Sequence, residues 1–144
     1  MTNISLAQSY LEKARTRLKV IQLLYDEQDY SDVFREAQEL VELALKGMLR
    51  AVGVEPPKHH DVGGLLVEQR ELFLPEVRDK LADLAAISRS LRKERELAFY
   101  GDIDFVPSEQ YSESDAAEAL RQARRVFAAA ELAIPPMTPL QDPA

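Results

Sequence analysis

The chain is predicted to be all-α, an up-and-down antiparallel bundle of four long helices and one short helix. Three observations carry that expectation. Apolar residues recur at spacings of three and four through every long segment, no segment reads as a strand, and the Pro and Gly residues gather between the periodic stretches. With 144 residues, 46% of them apolar and 30% charged, and only 5 Gly, the composition fits one compact domain with a real hydrophobic core.

In the first segment Ile4, Ala7, Leu11, Ala14, Leu18, Ile21 and Tyr25 form an apolar seam, which predicts one long amphipathic helix. Asp26 to Ser31 is a short polar break. Ser31 is expected to cap a second helix, with Asp32 in its first turn, where the positive helix end favours a carboxylate. That helix should run to about Val52, with Gly53 just beyond its end. It carries two apolar stripes, a small-residue face (Val33, Ala37, Leu40, Ala44, Gly47, Ala51) and a bulky face (Phe34, Val41, Leu45, Met48, Val52), so it should be the most buried helix. Gly47 costs the helix about 1 kcal/mol relative to Ala, which points to a close approach by another helix there. Periodicity leaves open whether the small-residue face packs inside the monomer or against a second copy.

Val54 to His60 contains Pro56 and Pro57 and must be a loop. Asp61 is placed to cap the short segment from Val62 to Leu72. Pro75 suits the first turn of a fourth helix with the seam Val77, Leu81, Leu84, Ser88, Leu91, Arg95 and Ala98, ending at Gly101. After a polar connection from Asp102 to Ser114, a last helix presents Ala116, Ala119, Leu120, Ala123, Val126, Phe127, Ala130 and Ile134 on one face until Pro135 and Pro136 stop it. Residues 1–134 are thus expected to form a single domain, and 135–144, rich in Pro, a flexible tail.

Composition also excludes chemistry. Without cysteine there are no disulfides, thiolate metal sites or cysteine nucleophiles. A net charge of -7 disfavours nonspecific adhesion to nucleic acid or anionic membrane, so an RNA or nucleotide contact needs a local basic cluster. Met1 to Arg17 lacks the pattern of a signal peptide and no run is long and apolar enough for a membrane span, so a cytoplasmic protein without a membrane partner is expected. Phosphate loops, nucleophile elbows, zinc helices and calcium loops are absent from the sequence. His59 and His60 are adjacent on an extended loop, where neighbouring side chains point apart, so no metal site is expected and a structural or capping role for the loop is favoured. No cofactor is called for.

The informative stretch is Ser88 to Asp102. Arg89, Arg92, Lys93 and Arg95 place four cations within seven residues of an acidic chain. Cations near a helix C-terminus are favoured by the dipole, and Arg92 has Glu96 at i,i+4, so an ion-pair network accounts for part of the cluster. Arg95 fits that account less well, because an arginine on the apolar seam must be buried and paired or must line a cleft.

The long helical bundle, the Lys58-His59-His60-Asp61 loop before a short helix, and the Arg-rich helix ending in Arg95-Glu96-Leu97-Ala98-Phe99-Tyr100 together resemble the HEPN domain, over roughly Leu6 to Ala130. In that family an arginine is followed by a polar residue and, after four to six residues, by a histidine, and two copies meet across a dimer cleft. The resemblance assigns the arginine to Arg95 and the polar position to Glu96. Tyr100 stands five residues after Arg95, where the histidine would be, and no histidine follows downstream. On an ideal helix five residues are about 140° of rotation, so Arg95 and Tyr100 converge only if the helix end unwinds near Gly101. A tyrosine of ordinary pKa near 10 is about one part in a thousand ionised at pH 7, a poor resting general base.

Three readings follow, the first two of them implied by the resemblance. One is a nucleotide-, RNA- or partner-binding module using Arg92, Arg95, Glu96 and Tyr100, homodimeric, and working with a minimal nucleotidyltransferase in a toxin-antitoxin-like pair. Another is a metal-independent RNase toxin in which Arg95 and Tyr100 are catalytic across the dimer. A third is an interaction bundle whose cationic helix is only an ion-pair network.

Overall fold

The computed structural model describes residues 3–58, 61–100 and 111–136, with the side chains of 94–100 outside the description. His59 and His60, Gly101 at the expected helix end, 102–110 of the polar connection, and 137–144 of the expected tail lie outside the described residues. All regular structure among those described is helical: α1 (Ile4–Asp26), α2 (Tyr30–Ala51), α3 (Val62–Glu68), α4 (Pro75–Arg78), α5 (Leu81–Tyr100) and α6 (Glu113–Ala133), with a single 3₁₀ turn at Arg70–Leu72. The result is the expected all-α bundle of four long helices, with the short segment resolved into smaller pieces.

α2 is the centre. It packs on α1, α5 and α6, and both of its apolar stripes are buried, from Val33, Ala37, Ala44 and Gly47 on one side to Val41, Leu45 and Met48 on the other. The small-residue face therefore serves the monomer itself. A Cβ placed on Gly47 would stand 3.3 Å from Tyr10 Cβ and 3.4 Å from the Ala7 carbonyl oxygen, both on α1, and 3.0 Å from Ile134 Cδ1. The close approach expected at Gly47 is thus a three-way contact. α6 runs antiparallel to α1: Gln8 Nε2 donates to the Pro135 and Pro136 carbonyls at one end, and the Tyr25 hydroxyl donates to Glu113 Oε1 at the other. Pro135 and Pro136, the first residues of the expected tail, are held by those contacts.

Several boundaries differ from expectation, each for a local reason. α2 starts before Ser31, which lies buried inside the helix, and Asp29 occupies the capping position. Gln28 takes a left-handed φ of 64°, and Asp29 N–H bonds the Leu24 carbonyl, so the chain turns within three residues and enters α2 early. At the other end Gly53 has φ 82° and α2 closes as expected, with Gly53 N–H to the Arg50 carbonyl and Val54 N–H to the Leu49 carbonyl.

The helix expected to run unbroken from Pro75 is two helices. Lys80 N–H bonds the Val77 carbonyl, three residues back, and this tighter turn separates α4 from α5. Arg78 fixes the corner by donating to the Arg70 and Phe73 carbonyls at 3.2 and 3.0 Å. α6 begins two residues sooner than expected, because Ser112 and Asp115 form a reciprocal capping box. Among the described residues no helix is long and apolar enough to cross a membrane.

Candidate functional site

Three of the four cations of the sequence cluster, Arg89, Arg92 and Lys93, form an exposed flank of α5. Leu81, Leu84, Ser88 and Leu91 make a buried stripe along this helix. At 100° per residue the backbone position of Arg95 lies within about 20° of Ser88, so it continues that stripe. Arg89, Lys93 and the backbone position of Tyr100 share a second, neighbouring stripe, and Arg92 lies between the two. α5 remains helical through Tyr100, so the backbone positions of Arg95 and Tyr100 stand about 140° apart around its axis. The unwinding that would let the two converge within one chain does not occur by that residue. The side chains of Arg95, Glu96 and Tyr100 lie outside the described residues.

Arg92 is only partly free. Its Nη2 donates to Glu42 Oε1 across the α2–α5 contact at 2.9 Å, the length of a charge-assisted hydrogen bond. Gln38 Nε2, one turn back on α2 and almost fully buried, donates to the same oxygen at 3.1 Å, and Lys46 Nζ lies 3.4 Å from Glu42 Oε2. Glu42 is thus fixed from three sides. Beside it an open cleft of about 370 Å³ is lined by Gln38, Glu39, Glu42, Leu43, Lys46 and Arg92.

The second anion near Arg92 is Asp61. It stands at the capping position of α3, as expected, but its carboxylate makes no capping bond to the α3 backbone. Instead Oδ2 lies 3.5 Å from Arg89 Nη1 and Oδ1 lies 3.9 Å from Arg92 Nη1. Two glycines permit this arrangement. A Cβ on Gly63 would fall 2.7 Å from Ala85 Cα, so α3 lies directly against the α5 backbone; a Cβ on Gly64 would fall 3.1 Å from Asp61 Oδ2, so the carboxylate turns toward α5 through space that Gly64 leaves open.

The ion-pair account thus holds for Arg89 and Arg92, through partners that sequence reasoning did not name for them. Gln38, Glu42 and Lys46 recur at i,i+4 on α2, a polar stripe beside its two apolar ones, and that was the signal available. The side chain of Arg89 is 58% exposed and that of Arg92 41%, so both are open to a ligand. Such a flank suits an anion with several oxygens, since an arginine fork accepts a phosphate bidentately.

Comparison with curated proteins and with solved structures returned no match. The family profile of the HEPN domain matches residues 7–133, from the second turn of α1 to the last residue of α6. The chain therefore belongs to the HEPN domain family, whose members are nucleotide- or RNA-binding and RNase-like helical modules.

Proposed function

We propose that this chain is a non-catalytic HEPN module that binds RNA or a nucleotide by its phosphates along the C-terminal half of α5. In this reading it works with a minimal nucleotidyltransferase as one half of a toxin-antitoxin-like pair. Arg92 and Arg95 supply guanidinium forks, Glu96 stands at the polar position of the family pattern, and Tyr100 stacks on a base or donates a hydrogen bond. The observation that carries the reading is Tyr100 itself: a tyrosine replaces the proton-moving histidine, on a helix whose regular backbone keeps it about 140° from Arg95.

A homodimer is part of the proposal. Because the small-residue face of α2 is buried within one chain, the two copies would meet on another surface. Light scattering at micromolar concentration is expected to give twice the 16.3 kDa mass of the chain.

The deciding experiment incubates the full chain and Arg95→Ala with labelled RNA in EDTA, scoring cleavage and binding together. No cleavage by either protein is expected, with binding about tenfold weaker in the variant. Cleavage by the wild type that Arg95→Ala abolishes would overturn the proposal and make the chain a metal-independent RNase acting through Arg95 and Tyr100.

A further inference from the structure

The two carboxylates around Arg92 are held very differently. Glu42 sits in the middle of α2, fixed by Gln38, Lys46 and a 2.9 Å bond from Arg92. Asp61 sits where the Pro-containing loop after α2 enters the short helix α3. Its contacts to Arg89 and Arg92, at 3.5 and 3.9 Å, are longer than the 2.7–2.9 Å of a charge-assisted hydrogen bond. Asp61 Oδ1 is shielded from solvent and has no hydrogen-bond partner among the described residues. The carboxylate lies beside the first turn of α3 without capping it, and its only ion-pair contacts among the described residues are the two long ones to Arg89 and Arg92.

We infer that Asp61 is an internal competitor for the phosphate-binding face of α5. It occupies the side of Arg89 and Arg92 that a phosphate of RNA takes, and binding displaces it. A phosphate oxygen pair at hydrogen-bond length outcompetes contacts as long as those of Asp61, whereas the short Glu42 contact persists and keeps Arg92 aimed. Displacement frees α3 from one of its ties to α5, so occupancy of the arginines is transmitted to the segment between α2 and α5. This inference rests on the proposed role of α5 in binding phosphate.

The test measures binding of a fluorescein-labelled, mixed-sequence single-stranded RNA of about twelve nucleotides to the full chain by anisotropy. Removing one negative charge a few ångströms from two guanidinium groups, in Asp61→Asn, is expected to tighten binding about three- to tenfold. Gly64→Ala changes no charge but sets a methyl 3.1 Å from Asp61 Oδ2, crowding the carboxylate off the arginines, and is expected to tighten binding in the same direction. Amide exchange at Val62 to Leu66 in the wild type should quicken when RNA saturates. If Arg92→Ala, with an unchanged circular dichroism spectrum, loses affinity while Asp61→Asn and Gly64→Ala bind no tighter than wild type, the competitor role is wrong and the binding site stands. If neither wild type nor Arg92→Ala binds the RNA, both fall together.

Discussion

Arg92 and Glu42 join α5 to α2 through a single oxygen. Glu42 Oε1 accepts from Arg92 Nη2 at 2.9 Å and from Gln38 Nε2 at 3.1 Å, so one carboxylate atom sets the rotamer of the arginine and satisfies a buried amide. The arginine is 41% exposed and solvent screens its charge, so the pair alone contributes less than about 1 kcal/mol. The larger consequence falls on Gln38, which is 5% exposed and whose amide would lose its acceptor.

Glu42→Ala is therefore expected to cost about 2 kcal/mol, chiefly by stranding the Gln38 amide, while Glu42→Gln, which keeps an acceptor oxygen, costs less than about 1 kcal/mol. Urea midpoints of the three proteins measure this. Equal losses in both variants would show that charge, and not the shared oxygen, holds the two helices together.

Two adjacent glycines should respond oppositely to one methyl group. Gly63→Ala drives a Cβ to 2.7 Å from Ala85 Cα, and a helix backbone cannot move aside, so the α3–α5 contact must open. A net loss of about 1–3 kcal/mol is expected despite the helix propensity gained. Gly64→Ala meets only the end of the Asp61 side chain and should keep or raise the melting temperature. Thermal melts of the two variants side by side decide it, and an unaffected Gly63→Ala would mean that α3 does not lie against α5 as described.

The bundle was legible because burial follows period. Val33, Ala37, Leu40, Ala44 and Gly47 on α2, and Ala116, Ala119, Ala123 and Val126 on α6, were picked out by spacing and are all buried. The helix starts were less legible, since they depend on which of several polar residues caps: Ser31 offered a hydroxyl, yet the turn at Gln28 moved the start to Tyr30. The break between α4 and α5 was hidden because Val77 and Leu81 keep helical spacing across it. At the site the cations were visible as a cluster, but their partners lie 50 residues away for Glu42 and on another helix end for Asp61, and one-dimensional spacing cannot report such pairs.

Ser112 offers a test of a boundary that the spacing missed. Its hydroxyl accepts from Asp115 N–H at 3.2 Å, and Asp115 Oδ2 accepts from Ser112 N–H at 2.9 Å. Ser112→Ala removes half of this exchange and is expected to lower stability by about 1 kcal/mol, with Ser112→Asp restoring most of it. Chemical denaturation followed by circular dichroism measures the pair. A neutral Ser112→Ala would mean that packing of Ala116 and Ala119 alone fixes the start of α6.

Asp32 makes the pH dependence of stability depart from the usual carboxylate pattern. Its pKa is pushed up to about 6 by partial burial, then by a hydrogen bond to Asp29 and the negative charge of that neighbour, against a smaller opposing pull from Arg35. The native state thus holds a proton that the unfolded chain releases near pH 4. Below that pH both states are protonated; from about pH 4 to about pH 6 the unfolded chain ionises first, so the contribution of Asp32 to stability falls as pH rises and is fully lost above pH 6. Screening at this partly exposed site reduces the loss to about 1 kcal/mol. Asp32→Asn cannot ionise and keeps a group able to bond Asp29, so at pH 7 it should be about 1 kcal/mol more stable than wild type and at pH 4 nearly equal to it. Other carboxylates titrate in the same window, which is why the difference between the two proteins, measured by urea denaturation at each pH, is the informative quantity. A difference that stays constant from pH 4 to 7 would place the Asp32 pKa at its ordinary value and remove the burial and the Asp29 interaction as influences on it.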